Sequence, residues 1–240
     1  LIGHGLDELT LTTNATRLAE YADGLRGAGI KRINVSLDTR NPDKFRHITR
    51  TGDLARVLGG VAAANAAGFE IKINMVALKG INDDEIAPML TWCAEEGFDL
   101  SLIETMPLGM IDDDRVDRFL PLTDVKAALD TQFSLIPATY KTGGPARYWS
   151  IGGSNSKLGL ISPLTRNFCE GCNRIRVSAS GQLYMCLGHD DHVDLRAALR
   201  SDDPDAVDMA VDRALLIKPR AHDFHLETPA TQRHMNVTGG

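Results

Sequence analysis

Two periods of hydrophobic and polar positions alternate along the first hundred residues. Short apolar runs with period two predict strands over Glu8–Asn14, Lys31–Leu37, Glu70–Ala77 and Asp99–Glu104. Between them, spacing near 3.6 predicts helices over Thr16–Ala28, Asp43–Thr49 and Leu54–Ala67. Another opens at the N-cap run Asn82-Asp83-Asp84-Glu85 and ends at Gly97. The repeated strand–helix unit implies parallel strands joined by right-handed crossovers. From Pro107 to Pro121 the pattern is that of a loop, with the acidic run Asp112-Asp113-Asp114 on its surface. A helix over Thr123–Gln132 follows, then β-rich segments Phe133–Thr139, Arg147–Ile151 and Lys157–Ile161, a cysteine-bearing hairpin, and helices over Asp194–Leu199 and Pro204–Leu216.

Within the predicted strands, polar residues gather on one face. Thr10, Thr12 and Asn14 share a face of the first strand; Asn34, Ser36 and Asp38 share one of the second. Lys72 and Asn74 lie opposite Ile71, Ile73 and Met75 on the third, and Glu104 and Met106 close the fourth. Such groups near the C-terminal ends of parallel strands are where α/β folds bind ligands. A lysine inside an apolar strand is costly to bury unless it meets an anion.

The densest chemistry lies in Asn167-Phe168-Cys169-Glu170-Gly171-Cys172-Asn173-Arg174-Ile175-Arg176, followed by Cys186 after thirteen residues beyond Cys172. Two thiols two residues apart can serve one centre from a single turn. A third fits a hairpin that returns to that turn, with Gly181 at its bend. Three thiolates leave one position of a tetrahedral site open. Alternation puts Arg174 and Arg176 on one face and Ile175 and Val177 on the other, so the two guanidiniums form a fork for carboxylate or phosphate oxygens. A Cys₃His zinc site using His189 or His192 is the alternative reading of the same residues.

Composition narrows the classes. With 240 residues, 43% of them hydrophobic, the chain can bury one large domain or one domain with a smaller companion. A formal charge of −6 argues against a nucleic-acid or membrane surface, and no apolar run is long enough to span a bilayer. Four cysteines, three of them clustered, point to a reduced compartment, hence a cytoplasmic protein. Cys93, among apolar neighbours at helical spacing, reads as core.

The strings Thr12-Thr13-Asn14, Arg32-Ile33-Asn34-Val35-Ser36-Leu37-Asp38, Lys79-Gly80-Ile81-Asn82-Asp83, Ile103-Glu104-Thr105-Met106, the cysteine–arginine block and the terminal Gly239-Gly240 occur in one order across the whole chain. Together they resemble the MoaA-type GTP 3′,8-cyclases, radical S-adenosylmethionine enzymes (lyases) of molybdenum cofactor biosynthesis. The resemblance implies an incomplete parallel (β/α) TIM-like barrel over residues 1–108 and a C-terminal α+β cluster-binding portion over 109–240. It implies two [4Fe-4S] clusters in the full-length protein. One, on an N-terminal Cys-x₃-Cys-x₂-Cys, cleaves S-adenosylmethionine to a radical. The other, on Cys169, Cys172 and Cys186, binds the purine of GTP, and the product is 3′,8-cyclo-7,8-dihydro-GTP. Thr12, Lys72, Arg174 and Arg176 fall at GTP contacts, and Ser36 and Met106 at S-adenosylmethionine contacts. Arg174, Arg176, Gly239 and Gly240 fall at catalytic positions, the glycine tail entering the active site where a bare backbone can approach closely.

The sequence departs from that family in three ways. It contains no Cys-x₃-Cys-x₂-Cys and begins with Leu1, so the expectation is a fragment without the radical-generating part. The first two barrel units and an arm, about 60–90 residues, would precede it. Ser101 stands where arginine is usual, and Ala15 where glycine is usual. The exposed edge of the first strand makes aggregation or a homodimer an expected liability. If the chain is complete as encoded, a non-catalytic iron–sulfur or zinc nucleotide-binding module describes it better. Ubiquitin-like sulfur carriers, which also end in Gly-Gly, are excluded by the βα alternation.

Overall fold

The computed structural model describes residues 5–109 and 115–238, so Asp112-Asp113-Asp114, Gly239 and Gly240 lie outside the described residues. The chain divides into two compact units, Leu1–Thr105 with Arg118–Thr165, and Met106–Asp117 with Arg166–Gly240.

The first unit opens with β1 (Thr10–Thr13), α1 (Leu18–Gly27), β2 (Arg32–Ser36), α2 (Pro42–Thr49), α3 (Leu54–Ala66), β3 (Glu70–Ala77), α4 (Ile86–Glu96) and β4 (Asp99–Glu104). After the short α5 (Arg115–Arg118) come α6 (Leu122–Asp130), β5 (Leu135–Pro137), β6 (Arg147–Ile151) and β7 (Lys157–Ile161). These strands make one sheet in the order β1-β2-β3-β4-β7-β6-β5. The pairs from β1 to β4, and β4 with β7, are parallel; β6 and β5 are antiparallel additions. The architecture is mixed α/β with a parallel-rich sheet. The sequence division at 108/109 differs from this partition. Residues 118–165 join the first unit because β7 extends the parallel ladder from β4.

The odd positions of β2 and β3 explain the core. Ile33, Val35, Ile71, Ile73 and Met75 are buried with Leu100, Leu102, Leu158 and Leu160 against Leu18, Val57, Val61, Leu90, Cys93 and Leu122 of the helices. Cys93 is therefore core, and burial raises its thiol pKa. The polar face lies on the other side of the sheet.

Two expected roles change. Asn82 does not cap α4: a short 3₁₀ turn, Asp83–Glu85, precedes that helix. Fully buried, the Asn82 side chain instead accepts from Leu78 N–H (2.8 Å) and donates to the Asp38 and Val76 carbonyls (2.7 and 2.9 Å). Glu104 pairs with Ala77 and shares its parity with Leu100 and Leu102, so it belongs to the helix side of the sheet, not the polar face.

Close packing at one helix gives a direct test. A Cβ on Gly60 of α3 would lie 2.2 Å from the Ala15 carbonyl oxygen. Ala15 itself holds a left-handed φ of 59°, the conformation that explains a glycine preference at that place. Gly60→Ala is expected to destabilise the fold by about 1–3 kcal/mol, overpacking outweighing the gain in helix propensity. A urea midpoint at or above the parent's would contradict that contact.

The second unit pairs β8 (Arg176–Val177), β9 (Gln182–Tyr184) and β10 (His192–Asp194) in an antiparallel sheet of order β10-β9-β8, with α7 (Leu195–Leu199) and α8 (Ala206–Leu216). Gly181 makes the expected bend at φ 82°, and an added Cβ would meet that of Arg196 at 2.7 Å. A small core of Leu183, Met185 and Ala214 lies beneath.

Candidate nucleotide and cluster sites

Each unit carries one polar concentration.

In the first, strand register assembles two rows. Thr12, Asn34, Lys72 and Asp99 are successive partners across β1 to β4. Ser36, Asn74, Ser101, Gly159 and Tyr148 make the next row, from β2 through β7 to β6. Asn34 donates to Thr12 Oγ1 (3.3 Å), while its own Oδ1 and that of Asn74 are buried without a hydrogen-bond partner. Buried acceptors are ordinarily satisfied, so an unfilled pair facing one side of a sheet marks a place for a donor that arrives from outside.

Lys72 sits in the first half of β3 and is 8% exposed. Among the described residues it makes no hydrogen bond or ion pair within 4 Å. Burial, then the Arg32 guanidinium, lowers its pKa to about 8, against the opposing pull of Asp99 and Glu8. Around it lies a cavity of about 560 Å³ lined by Glu8, Thr10, Arg32, Asn34, Lys72 and the Thr142–Gly144 loop. Arg32 is held there by a bidentate pair with Glu8 (2.9 and 2.7 Å). Anion binding in this cavity is expected to weaken as pH rises through about 8, because only the ammonium form of Lys72 attracts an anion. Titrating inorganic triphosphate affinity from about one unit below that value to one above checks it. A pH-independent affinity would contradict the role.

Asp38 and Glu104 are used internally. The Asp38 carboxylate accepts from Val76 N–H (2.8 Å), and burial pushes its pKa up to about 6. Glu104, fully buried, accepts from the backbone N–H groups of Leu122 (3.2 Å), Leu164 (3.0 Å) and Thr165 (3.1 Å), and from the Thr165 hydroxyl. Ser36 is exposed at the C-terminal end of β2, without a side-chain partner among the described residues. Met106 is half-buried in the second unit, its carbonyl accepting from Leu108 N–H. Ser101 is fully buried, and a Cβ added to Gly159 would lie 2.8 Å from its hydroxyl and 2.9 Å from the Tyr148 ring.

In the second unit, burial alternates over the cysteine–arginine stretch. Cys172, Arg174 and Arg176 are half-buried and Ser178 buried, whereas Ile175 and Val177 are 46% and 55% exposed. Cys172 N–H bonds the Cys169 carbonyl (3.0 Å), closing the Cys-x-x-Cys turn. On the returning strand Leu183 and Met185 point into the small core, which turns Tyr184 and Cys186 the other way. Arg176 pairs with Tyr184, and its electrostatic neighbours are Arg174, Cys186, Cys172 and Arg233. Burial, then Arg174, lowers the Arg176 pKa, the two cysteines opposing. The Arg174 guanidinium stacks 4.8 Å from the Phe168 ring centre.

All three cysteines are free and half-buried. Among the described residues, no group of three or more His, Cys, Asp or Glu side chains is set to hold a metal ion. His189 Nε2 lies 3.8 Å from Asp223, and His192 packs on Tyr184 with its Nδ1 at the Asp190 carbonyl. The donor chemistry, three soft thiols, is of the kind that iron–sulfur clusters take.

Sequence reasoning missed two cations here. Lys218 donates to the Arg174 and Met185 carbonyls (2.8 and 2.6 Å). Arg233 donates to the Leu187 and His189 carbonyls and to Asp190 Oδ1, over the Tyr184 ring. No local pattern announces either.

Two family models match successive stretches of the chain. The Radical SAM superfamily matches residues 2–93, and Molybdenum Cofactor Synthesis C matches residues 98–224. That pair defines a radical SAM protein of molybdenum cofactor synthesis. The GTP 3′,8-cyclase of Erythrobacter litoralis is 54% identical, over 100% of this chain and 73% of that protein. The GTP 3′,8-cyclase of Rhizobium meliloti is also 54% identical, over 98% of this chain and 69% of its own. This chain belongs to the GTP 3′,8-cyclase family. A radical SAM methyltransferase structure from Sphaerobacter thermophilus covers 43% of this chain and 32% of its own at 20% identity, with a TM-score of 0.33, a likeness too slight to build on.

Proposed function

We propose that this chain performs the nucleotide-holding part of the GTP 3′,8-cyclase reaction, in which GTP and S-adenosylmethionine yield 3′,8-cyclo-7,8-dihydro-GTP for molybdenum cofactor biosynthesis. The observation that carries this reading is the inverted strand beside the thiols. Arg174 and Arg176 are half-buried while Ile175 and Val177 are exposed, the reverse of what burial favours, and a bound anion would offset that cost. A [4Fe-4S] cluster on Cys169, Cys172 and Cys186 would supply an iron whose remaining coordination position takes a ligand atom.

The chain's own residues do the rest. The two guanidiniums hold oxygens of GTP and keep their charge next to the cysteines. Lys72 adds a third cation, with Thr12 two strands away on the same polar row. Ser36 and Met106 contact S-adenosylmethionine, and Gly239 and Gly240 take part in catalysis. The five parallel strands belong to an incomplete (β/α) barrel. Free thiols suit the reducing cytoplasm.

Anaerobic reconstitution with iron and sulfide tests the cluster assignment. Roughly four irons per chain, with thiolate-to-iron absorption, is the expected outcome for three thiolates on one cluster. Stoichiometric zinc without iron-dependent absorption would overturn it.

A further inference from the structure

We propose that Lys218 is a positioning residue for the three-cysteine site, its ammonium tying together the two arms that carry the thiols. The β8–β9 ladder pairs Arg176 with Tyr184 and Val177 with Leu183, and no further. Continued in the same register it would set Arg174 opposite Cys186. Pairing has stopped there, so no backbone bond fixes the arm holding Cys172 against the arm holding Cys186. Lys218 Nζ fills that gap. It donates to the Arg174 carbonyl (2.8 Å), two residues beyond Cys172, and to the Met185 carbonyl (2.6 Å), immediately before Cys186.

The two cations near Cys186 divide their acceptors. Arg233, which binds the carbonyls on the far side of Cys186, is paired with Asp190 at 2.8 Å. Lys218 bonds carbonyls of both arms and has no carboxylate partner among the described residues. One side chain thus sets the spacing of the arms that carry the thiols.

This inference rests on the cluster reading above. The test uses the 240-residue chain, reconstituted anaerobically, as parent, Lys218→Met and Lys218→Arg. Circular dichroism of the unloaded proteins reports folding. The readouts are iron retained, the rate of iron loss to a ferrous chelator, and the electron paramagnetic resonance spectrum of the reduced cluster. Lys218→Met is expected to lose iron about tenfold faster or more, the scale of outer-shell substitutions at metal sites, with an altered spectrum and unchanged fold. Lys218→Arg, which keeps charge and donors, is expected to restore most of the retention. Should Lys218→Met not fold, Lys218→Gln is read by the same assay. A folded uncharged variant with parent-like iron loss and spectrum overturns the role of Lys218 alone. A parent that takes up no iron overturns the cluster reading with it.

Discussion

Glu104→Ala is expected to destabilise the first unit by about 3–5 kcal/mol, more than the overpacking expected of Gly60→Ala. The buried carboxylate accepts three backbone N–H groups and one hydroxyl, drawn from the entry to α6 and the loop after β7. Truncation leaves those donors buried with nothing to bond, at about 1–3 kcal/mol each before relaxation. Glu104→Gln keeps the shape and one acceptor oxygen, so its cost should fall well below that of alanine. Chemical unfolding followed by the Trp92 and Trp149 signals measures both. If alanine and glutamine cost the same, or alanine costs under about 1 kcal/mol, the carboxylate is not the latch between these segments.

Arg176→Ala is expected to weaken GTP binding to the loaded chain by about 2 kcal/mol, roughly thirtyfold, the scale of hydrogen bonds to charged groups. Arg176 is half-buried on the face of β8 that it shares with Tyr184, with Cys172 and Cys186 among its electrostatic neighbours. Arg176→Lys keeps the charge but not the planar fork, and should recover only part of the affinity. Calorimetry at fixed ionic strength separates the two. Full recovery by lysine would mean that charge alone is recognised, and unchanged affinity in Arg176→Ala would remove Arg176 from the site.

Local pattern makes much of this legible. Glu70–Ala77, Asp99–Glu104, Arg147–Ile151 and Lys157–Ile161 form strands with the bounds their periodicity predicts, because alternation and turn residues are encoded within a few positions. The half-buried Arg174 and Arg176 are legible for the same reason. The charge of Glu104 suggests the polar face, although its parity with Leu100 and Leu102 points to the helix side; the signal is present and the charge outweighs it. Asn82 resembles a cap because asparagine before acidic residues usually is one; three tertiary bonds override that preference. Lys72 stands out as a lone charge, and its place as the third residue of Glu70–Ala77 follows from those same bounds. Lys218 is invisible in the sequence. Its carbonyl partners lie 44 and 33 residues away, and no spacing rule connects an ammonium to backbone oxygens at that distance.

Whether the guanidiniums hold GTP at a cluster carried by Cys169, Cys172 and Cys186 is the central question. The most direct measurement is the electron paramagnetic resonance spectrum, with nitrogen hyperfine resolution, of the reduced, loaded chain with and without GTP labelled with nitrogen-15 in the guanine. GTP is expected to shift the spectrum, a nitrogen coupling to change with the label, and Arg176→Ala to need more GTP for the same shift. A spectrum identical with and without saturating GTP would contradict the proposed site.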